Sequence, residues 1–272
     1  MERKKTSEET REVYIQGDPD GVEGYVVLEN GAVLENLSFT GARSARAMHP
    51  DGRPYHTFRT ATLRVSADGC VLRNCRISNT AGPGKTAGQA LALYLDGDDI
   101  LLEDCILTGS QDTLFMAPLP PTVVEKDGFL GPGENTPRIP RSIRLHRCVI
   151  EGGVDFVFGG ANCLFTECEF RSVEPGYVFA PCTPAGESGF VARDCRFTAA
   201  DNVPEGSVYL ARPWREYAAV RLENCWMDRH ICREGFADWA ERASLGGVRF
   251  SEFSSTGPGA CPGGRPAWVV QG

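Results

Sequence analysis

The segment Val71-Leu-Arg-Asn-Cys75-Arg-Ile77 recurs along the chain. It returns as Leu101-Leu-Glu-Asp-Cys105-Ile-Leu107, Arg144-Leu-His-Arg-Cys148-Val-Ile150 and Leu164-Phe-Thr-Glu-Cys168-Glu-Phe170. Two more copies are Val191-Ala-Arg-Asp-Cys195-Arg-Phe197 and Arg221-Leu-Glu-Asn-Cys225-Trp-Met227, and an earlier one, Val33-Leu-Glu-Asn-Leu37-Ser-Phe39, carries Leu in place of Cys. The residue before the cysteine is often Asn or Asp, types that tolerate the left-handed backbone of a tight turn. On either side apolar and polar residues alternate, the period of half-buried strands. The cysteines lie 30, 43, 20, 27 and 30 residues apart. A strand–turn–strand unit of that length predicts a solenoid whose coils stack on one another. Cysteine, a small hydrophobe, then forms an inward column. The expected fold is all-β, a parallel β-helix in one domain spanning 1–272.

The chain has 272 residues with 28 Lys+Arg against 36 Asp+Glu, a net charge of −8, and its 31 Gly and 18 Pro suit a turn-rich β architecture. The acidic balance argues against nucleic acid as a partner, because nothing gathers positive charge for phosphates. No apolar run approaches the ~18–20 residues of a membrane span. The basic opening Met1-Glu-Arg-Lys-Lys5 has no apolar stretch behind it, so no export signal is read and a cytoplasmic location is expected. Eleven cysteines, an odd number without a CxxC pair, favour free thiols over a disulfide ladder and give no zinc spacing. Gly82-Pro-Gly84-Lys85-Thr86 resembles the tail of a phosphate loop, but Asn79 stands where that pattern needs glycine.

Aligning the coils on their cysteines also aligns the chemistry. Cys105 leads to Gly109-Ser-Gln111-Asp112-Thr-Leu-Phe115 and Cys148 to Gly152-Gly-Val154-Asp155-Phe156-Val-Phe158, so Asp112 and Asp155 share a phase of the repeat. On consecutive coils their backbones would lie about 4.8 Å apart. Residues 116–142, rich in Pro and Gly and without periodicity, read as a long loop that accounts for the 43-residue spacing. Gly176-Tyr-Val-Phe179 and Gly206-Ser-Val-Tyr209 are expected to continue an aromatic column begun by Phe115 and Phe158. Two adjacent carboxylates titrate as a coupled pair, one pKa rising and the other falling, which supplies an acid together with a base or nucleophile. Gln89, one coil earlier, and Gln111 place amide donors beside the pair. Arg212, in Leu210-Ala-Arg-Pro-Trp214, is within reach of a carboxylate two coils away, and Trp214 offers a flat apolar face for a sugar ring.

These segments resemble the signature motifs of the pectin methylesterases, a carbohydrate esterase family. The likeness rests on Gln89-Ala-Leu-Ala-Leu, Gly-Ser-Gln111-Asp112-Thr-Leu-Phe, Gly-Gly-Val-Asp155-Phe-Val-Phe-Gly159 and Leu-Ala-Arg212-Pro-Trp214. Supporting stretches are Thr57-Phe-Arg-Thr-Ala-Thr62, Asn79-Thr-Ala-Gly82 and Ser251-Glu-Phe-Ser-Ser-Thr-Gly-Pro-Gly259-Ala260. The likeness covers about residues 57–268 and leaves 1–56 as atypical N-terminal coils. It implies a right-handed parallel β-helix that hydrolyses methyl esters of galacturonate, the alternatives being an esterase or thioesterase for another acyl ester and a non-catalytic polysaccharide-binding β-helix. Asp155 would be the nucleophile, Asp112 the acid and then base, Gln89 and Gln111 the oxyanion donors, and Arg212 the residue that holds Asp155. Trp214, with Phe115, Phe156 and Trp239, would contact the sugar chain. No metal or cofactor is implied, and the partner is polygalacturonate or, inside a cell, imported oligogalacturonides.

The chain departs from the family pattern at Ala211 and at Gly235-Phe236, where the family has Gly and Gly-Trp. Residues Glu234–Arg242 are compatible with a short helix. No capping helix is found at the start and no helical tail follows Trp268, so both ends of the solenoid are expected to be thinly capped. Residues near the N-terminus, or a second copy of the chain in a homo-oligomer, would then cover an end.

Overall fold

The computed structural model describes residues 10–15, 24–123, 128–131 and 133–272, with the backbone alone for 10–15 and 24–29. Its coils stack as a right-handed parallel β-helix with three strand ladders. One ladder runs from Val33–Glu35 through Val71–Arg73, Ile100–Glu103, Ser142–His146, Asn162–Thr166, Phe190–Arg193, Ala219–Glu223 and Arg249–Phe253 to Val270–Gln271. A second begins at Ser38–Gly41 and a third at Leu63–Val65, and the long strands Val149–Gly159 and Glu169–Pro181 pass through both.

The repeated cysteine segment explains each corner. Asn36, Asn74, Asp104, Arg147, Glu167, Asp194 and Asn224 all have φ between 47° and 57°. Arg147 and Glu167 adopt this left-handed turn without the local side-chain support that Asn and Asp bring, at a cost of roughly 1–2 kcal/mol each. The turn sends the following cysteine inward. Cys75, Cys105, Cys148, Cys168, Cys195 and Cys225 are buried, with Sγ 3.4–3.6 Å from the carbonyl oxygens of Leu34, Leu72, Leu102, Leu145, Phe165 and Ala192 on the preceding coil. The described cysteines are all free.

Beside them runs a column in strict register, Leu34, Leu72, Leu102, Leu145, Phe165, Ala192 and Leu222, ending at Glu252. This last position is buried, and Arg265 closes it from outside the ladder. Its Nε donates to Glu252 Oε2 at 2.7 Å, and its remaining N–H groups reach the carbonyls of Cys232, Arg233 and Gly259. A buried ion pair with its hydrogen bonds satisfied thus closes this column, and strand Val270–Gln271 pairs over it. At the other end, strand Thr10–Ile15 pairs antiparallel with Leu63–Val65 and with Gly24–Glu29, so chain N-terminal to the first coil does cover an edge. Residues 1–9 and 16–23 lie outside the described residues. Glu234–Arg242 forms no helix: Phe236 bridges to Ala211, and Arg242 and Ala243 turn back on the Trp239 carbonyl.

Candidate active site

Leu114 pairs with Val157 and Phe115 with Phe158, so Asp112 and Asp155, each two residues upstream of the Leu114–Val157 pair, stack on adjacent coils. The Asp112 N–H donates to the Val154 carbonyl at 3.0 Å. Both aspartates sit in left-handed backbone, φ 64° and 50°, where a non-glycine residue is held under local strain. This turn lifts both side chains out of the sheet into a cavity of about 230 Å³ lined also by Gln89, Gln111, Arg212, Trp214 and Trp239. Thr57, Phe58, Phe158, Ala180 and Arg242 complete the wall.

Arg212 reaches across two coils as a fork. Its Nε donates to Asp155 Oδ1 at 2.8 Å and a terminal N–H to Oδ2 at 2.5 Å, a bidentate geometry that fixes the carboxylate plane. The guanidinium is itself clamped between two rings, 3.9 Å from the Tyr177 centroid and 3.7 Å from that of Trp239. Cation–π contacts on both faces leave it little rotational freedom. Gln111 lies against Gly84: a Cβ there would be 2.7 Å from both Cβ and Oε1 of Gln111. The Gly84 N–H donates to Ser110 Oγ, whose hydroxyl donates to Glu174, so the neighbour of Gln111 is tied down as well.

The two carboxyls differ in charge state for physical reasons. Burial pushes the Asp112 pKa well above the usual carboxylate range, and the charge of Asp155 pushes it further. Burial also raises Asp155, but there the Arg212 hydrogen bonds and the charges of Arg212 and Arg242 oppose it. Asp112 therefore holds its proton to higher pH than Asp155, which Arg212 favours in the ionised form. A carboxyl whose pKa is higher in the folded than in the unfolded chain binds its proton more tightly when folded. It therefore withdraws stability as pH rises above the unfolded value of about 3.9. Asp112→Asn removes that loss, so its melting temperature should gain on the parent as pH rises above about 4. A difference that stays constant or shrinks over that range would contradict a raised Asp112 pKa.

Three sequence expectations are corrected. Phe156 is fully buried in the solenoid core beside Val157, directly after the left-handed turn at Asp155, and it has no path to a sugar. Phe115 is also fully buried, packed against Tyr94, Phe58 and Phe158 at centroid distances of 4.7–5.0 Å. The aromatic column stops at Phe158. Register shifts in the pairing of Val149–Gly159 with Glu169–Pro181 place Ala180, not Phe179, opposite Phe158, and set Tyr209 against Tyr177. Phe158 lines the cavity instead. Trp239 lines it too, with one face on Arg212, and Trp214 is packed edge-on to Phe158 with 9% of its surface exposed. Sequence reasoning missed Tyr177 and Arg242. Tyr177 stood inside a quoted motif, but only its downstream phenylalanine drew notice.

Comparison with known proteins places this geometry. A sequence model described as Pectinesterase matches residues 36–119 and 142–271, reaching further toward both ends than 57–268 and skipping most of the long loop. The chain is 29% identical over 234 residues to a probable pectinesterase/pectinesterase inhibitor 64 of Arabidopsis thaliana, covering 78% of this chain and 35% of that one. It spans between a third and about half of the length of such plant relatives. A crystal structure of the Aspergillus niger pectin methylesterase, bearing an N-acetylglucosamine stub, superposes with a TM-score of 0.66 at 25% identity over 89% of this chain and 68% of that one. A pectin methylesterase in complex with a hexasaccharide has the same fold, with a TM-score of 0.66 at 22% identity over 89% of this chain and 82% of the other. The plant and fungal relatives point to an extracellular rather than a cytoplasmic location, which overturns the expected cytoplasmic one. With most of its length matched, from the first full coil to the last, the chain is a member of the pectinesterase family.

Proposed function

We propose that this chain hydrolyses methyl esters of galacturonate units in pectin or its oligomers, releasing methanol, with Asp155 as nucleophile. The observation that carries the reading is the asymmetry of the pair: the Arg212 fork grips Asp155, while burial and the charge of Asp155 raise the pKa of Asp112. The free lone pairs of Asp155 attack the ester carbonyl carbon, and the carbonyl oxygen becomes an oxyanion that accepts from the amides of Gln89 and Gln111. As the C–O bond to the methoxy group breaks, Asp112 gives its proton to the leaving oxygen and methanol departs. An anhydride now joins the galacturonate acyl group to Asp155. Asp112, ionised, takes a proton from water, and the resulting hydroxide attacks the acyl carbon. Asp155 leaves as carboxylate, the product is a free galacturonate, and Asp112 is protonated again, so the cycle closes without a cofactor.

Arg212 keeps the attacking group charged and aimed throughout, and Tyr177 and Trp239 keep Arg212 in place. Trp214 and Phe158 form the apolar side of the cleft and suit the face of a pyranose ring. The hexasaccharide complex of a protein with this fold supports a sugar-chain ligand. The test is methanol release from methyl-esterified oligogalacturonide. The purified chain is expected to release methanol well above the uncatalysed rate, and failure to do so overturns the reading.

A further inference from the structure

We propose that Phe129, carried by a loop outside the family match, is a positioning residue that fixes the Trp214 wall of the cleft and thereby sets affinity for the sugar chain. The proposal rests on the esterase reading for its substrate class. Residues 120–141 fall between the two stretches that match the family. Composition alone reads this stretch as an excursion from the solenoid, yet its one phenylalanine is 1% exposed. Phe129 meets Phe58 edge-on at 5.7 Å and Trp214 edge-on at 6.4 Å, and both of these rings line the cleft. The unmatched segment therefore packs against the outer side of the surface that would touch substrate.

The loop is built to hold that ring. Arg138 donates to four carbonyls of its own segment, Pro120, Gly133, Glu134 and Thr136, at 2.6–3.2 Å, and its guanidinium carbon lies 5.9 Å from the Phe129 centroid. One cation thus ties four backbone acceptors that no sheet ladder serves. A Cβ on Gly131 would lie 2.8 Å from the Phe58 Cβ, so the loop backbone itself presses on the cleft wall. From the other side, Arg215 lies over Trp214 at 4.8 Å, donates to the Trp214 carbonyl, and reaches the Thr122 carbonyl of the same loop at 3.5 Å. Trp214 is thus braced by the loop twice, once by a ring and once through an arginine.

The cavity beside Asp112 and Asp155 is lined by none of the loop's described side chains. Removing the brace should loosen a binding surface and leave the reacting groups in place. That is a loss of uniform binding, which raises KM and spares kcat. A side chain that must be re-ordered by the ligand weakens binding by about three- to tenfold.

The experiment compares the full chain with Phe129→Ala, Phe129→Leu and Arg138→Gln. It reads kcat and KM for methanol release, and by calorimetry the Kd of an unesterified galacturonate hexamer. Phe129→Ala is expected to raise KM and Kd by about three- to tenfold with kcat within about twofold, and Phe129→Leu, which refills most of the volume, to recover at least half of the loss. Arg138→Gln, which touches neither the cleft nor Trp214, should reproduce the effect and carries the test if Phe129→Ala fails to fold. Folded variants with KM and Kd within twofold of the parent overturn the proposal, as does a fall in kcat at constant KM. A parent chain that binds the hexamer without releasing methanol, with Kd weakened in the variants, upholds the brace and overturns the esterase reading. A parent that neither binds nor hydrolyses overturns both.

Discussion

Asp155→Asn is expected to lower kcat for methyl-ester hydrolysis by about 10⁴-fold or more, with the fold intact. The amide matches the carboxylate in shape and still offers an oxygen to Arg212, so the side chain stays in the cleft. It lacks the charge and lone-pair basicity needed to attack an ester carbon. What remains is the oxyanion donors and substrate binding, which sustain a small residual rate. The substitution lies in a cavity wall, so circular dichroism and the melting transition should stay close to the parent. A variant retaining more than about a tenth of parental kcat would remove Asp155 from the nucleophile role.

Arg212→Gln carries the second large effect. Its loss leaves the Asp155 carboxyl, 7% exposed, with burial still raising its pKa and without the fork that opposes this. The fraction ionised at neutral pH falls, and the carboxyl that remains loses its fixed plane. A decrease in kcat of about 10²–10³ is expected, the scale of a lost charged partner in a closed site. The rising limb of the pH–rate profile reports ionisation of Asp155, so it should move to higher pH in this variant. Arg212→Lys keeps the positive charge but neither the two-pronged contact nor the flat cation between Tyr177 and Trp239. It should fall between the parent and Arg212→Gln. A rising limb that does not move in either variant would show that Arg212 leaves the ionisation of Asp155 alone.

What the sequence disclosed and what it hid follow one physical line. The corner turn is local: Asn74-Cys75 or Asp104-Cys105 encodes the left-handed residue and the inward thiol within two positions, so the repeat was readable from one coil. The repeat carried Asp112 and Asp155 into register because both follow their cysteine by seven residues. Register arguments failed where the strand pairing is irregular. The shifts along Val149–Gly159 misplaced Phe179 and Tyr209, and the left-handed turn at Asp155 breaks the alternation by which Phe156 would be assigned to a face. Tyr177, Arg242 and the ring contact of Phe129 arise from segments brought together only by stacking, and no spacing rule encodes such contacts. The Glu252–Arg265 closure was hidden likewise, since a lone charged residue on an inward strand position reads as an error until its partner is seen.

A pH profile of methanol release from a fully methyl-esterified oligogalacturonide tests most directly the claim that an ionised Asp155 and a protonated Asp112 work as one unit. The profile of kcat/KM should be bell-shaped, rising as Asp155 ionises and falling as Asp112 loses its proton, with the falling limb abolished together with activity in Asp112→Asn. A flat profile across the same range, or an Asp112→Asn variant that keeps the parental rate and limb, would contradict the paired-carboxyl mechanism.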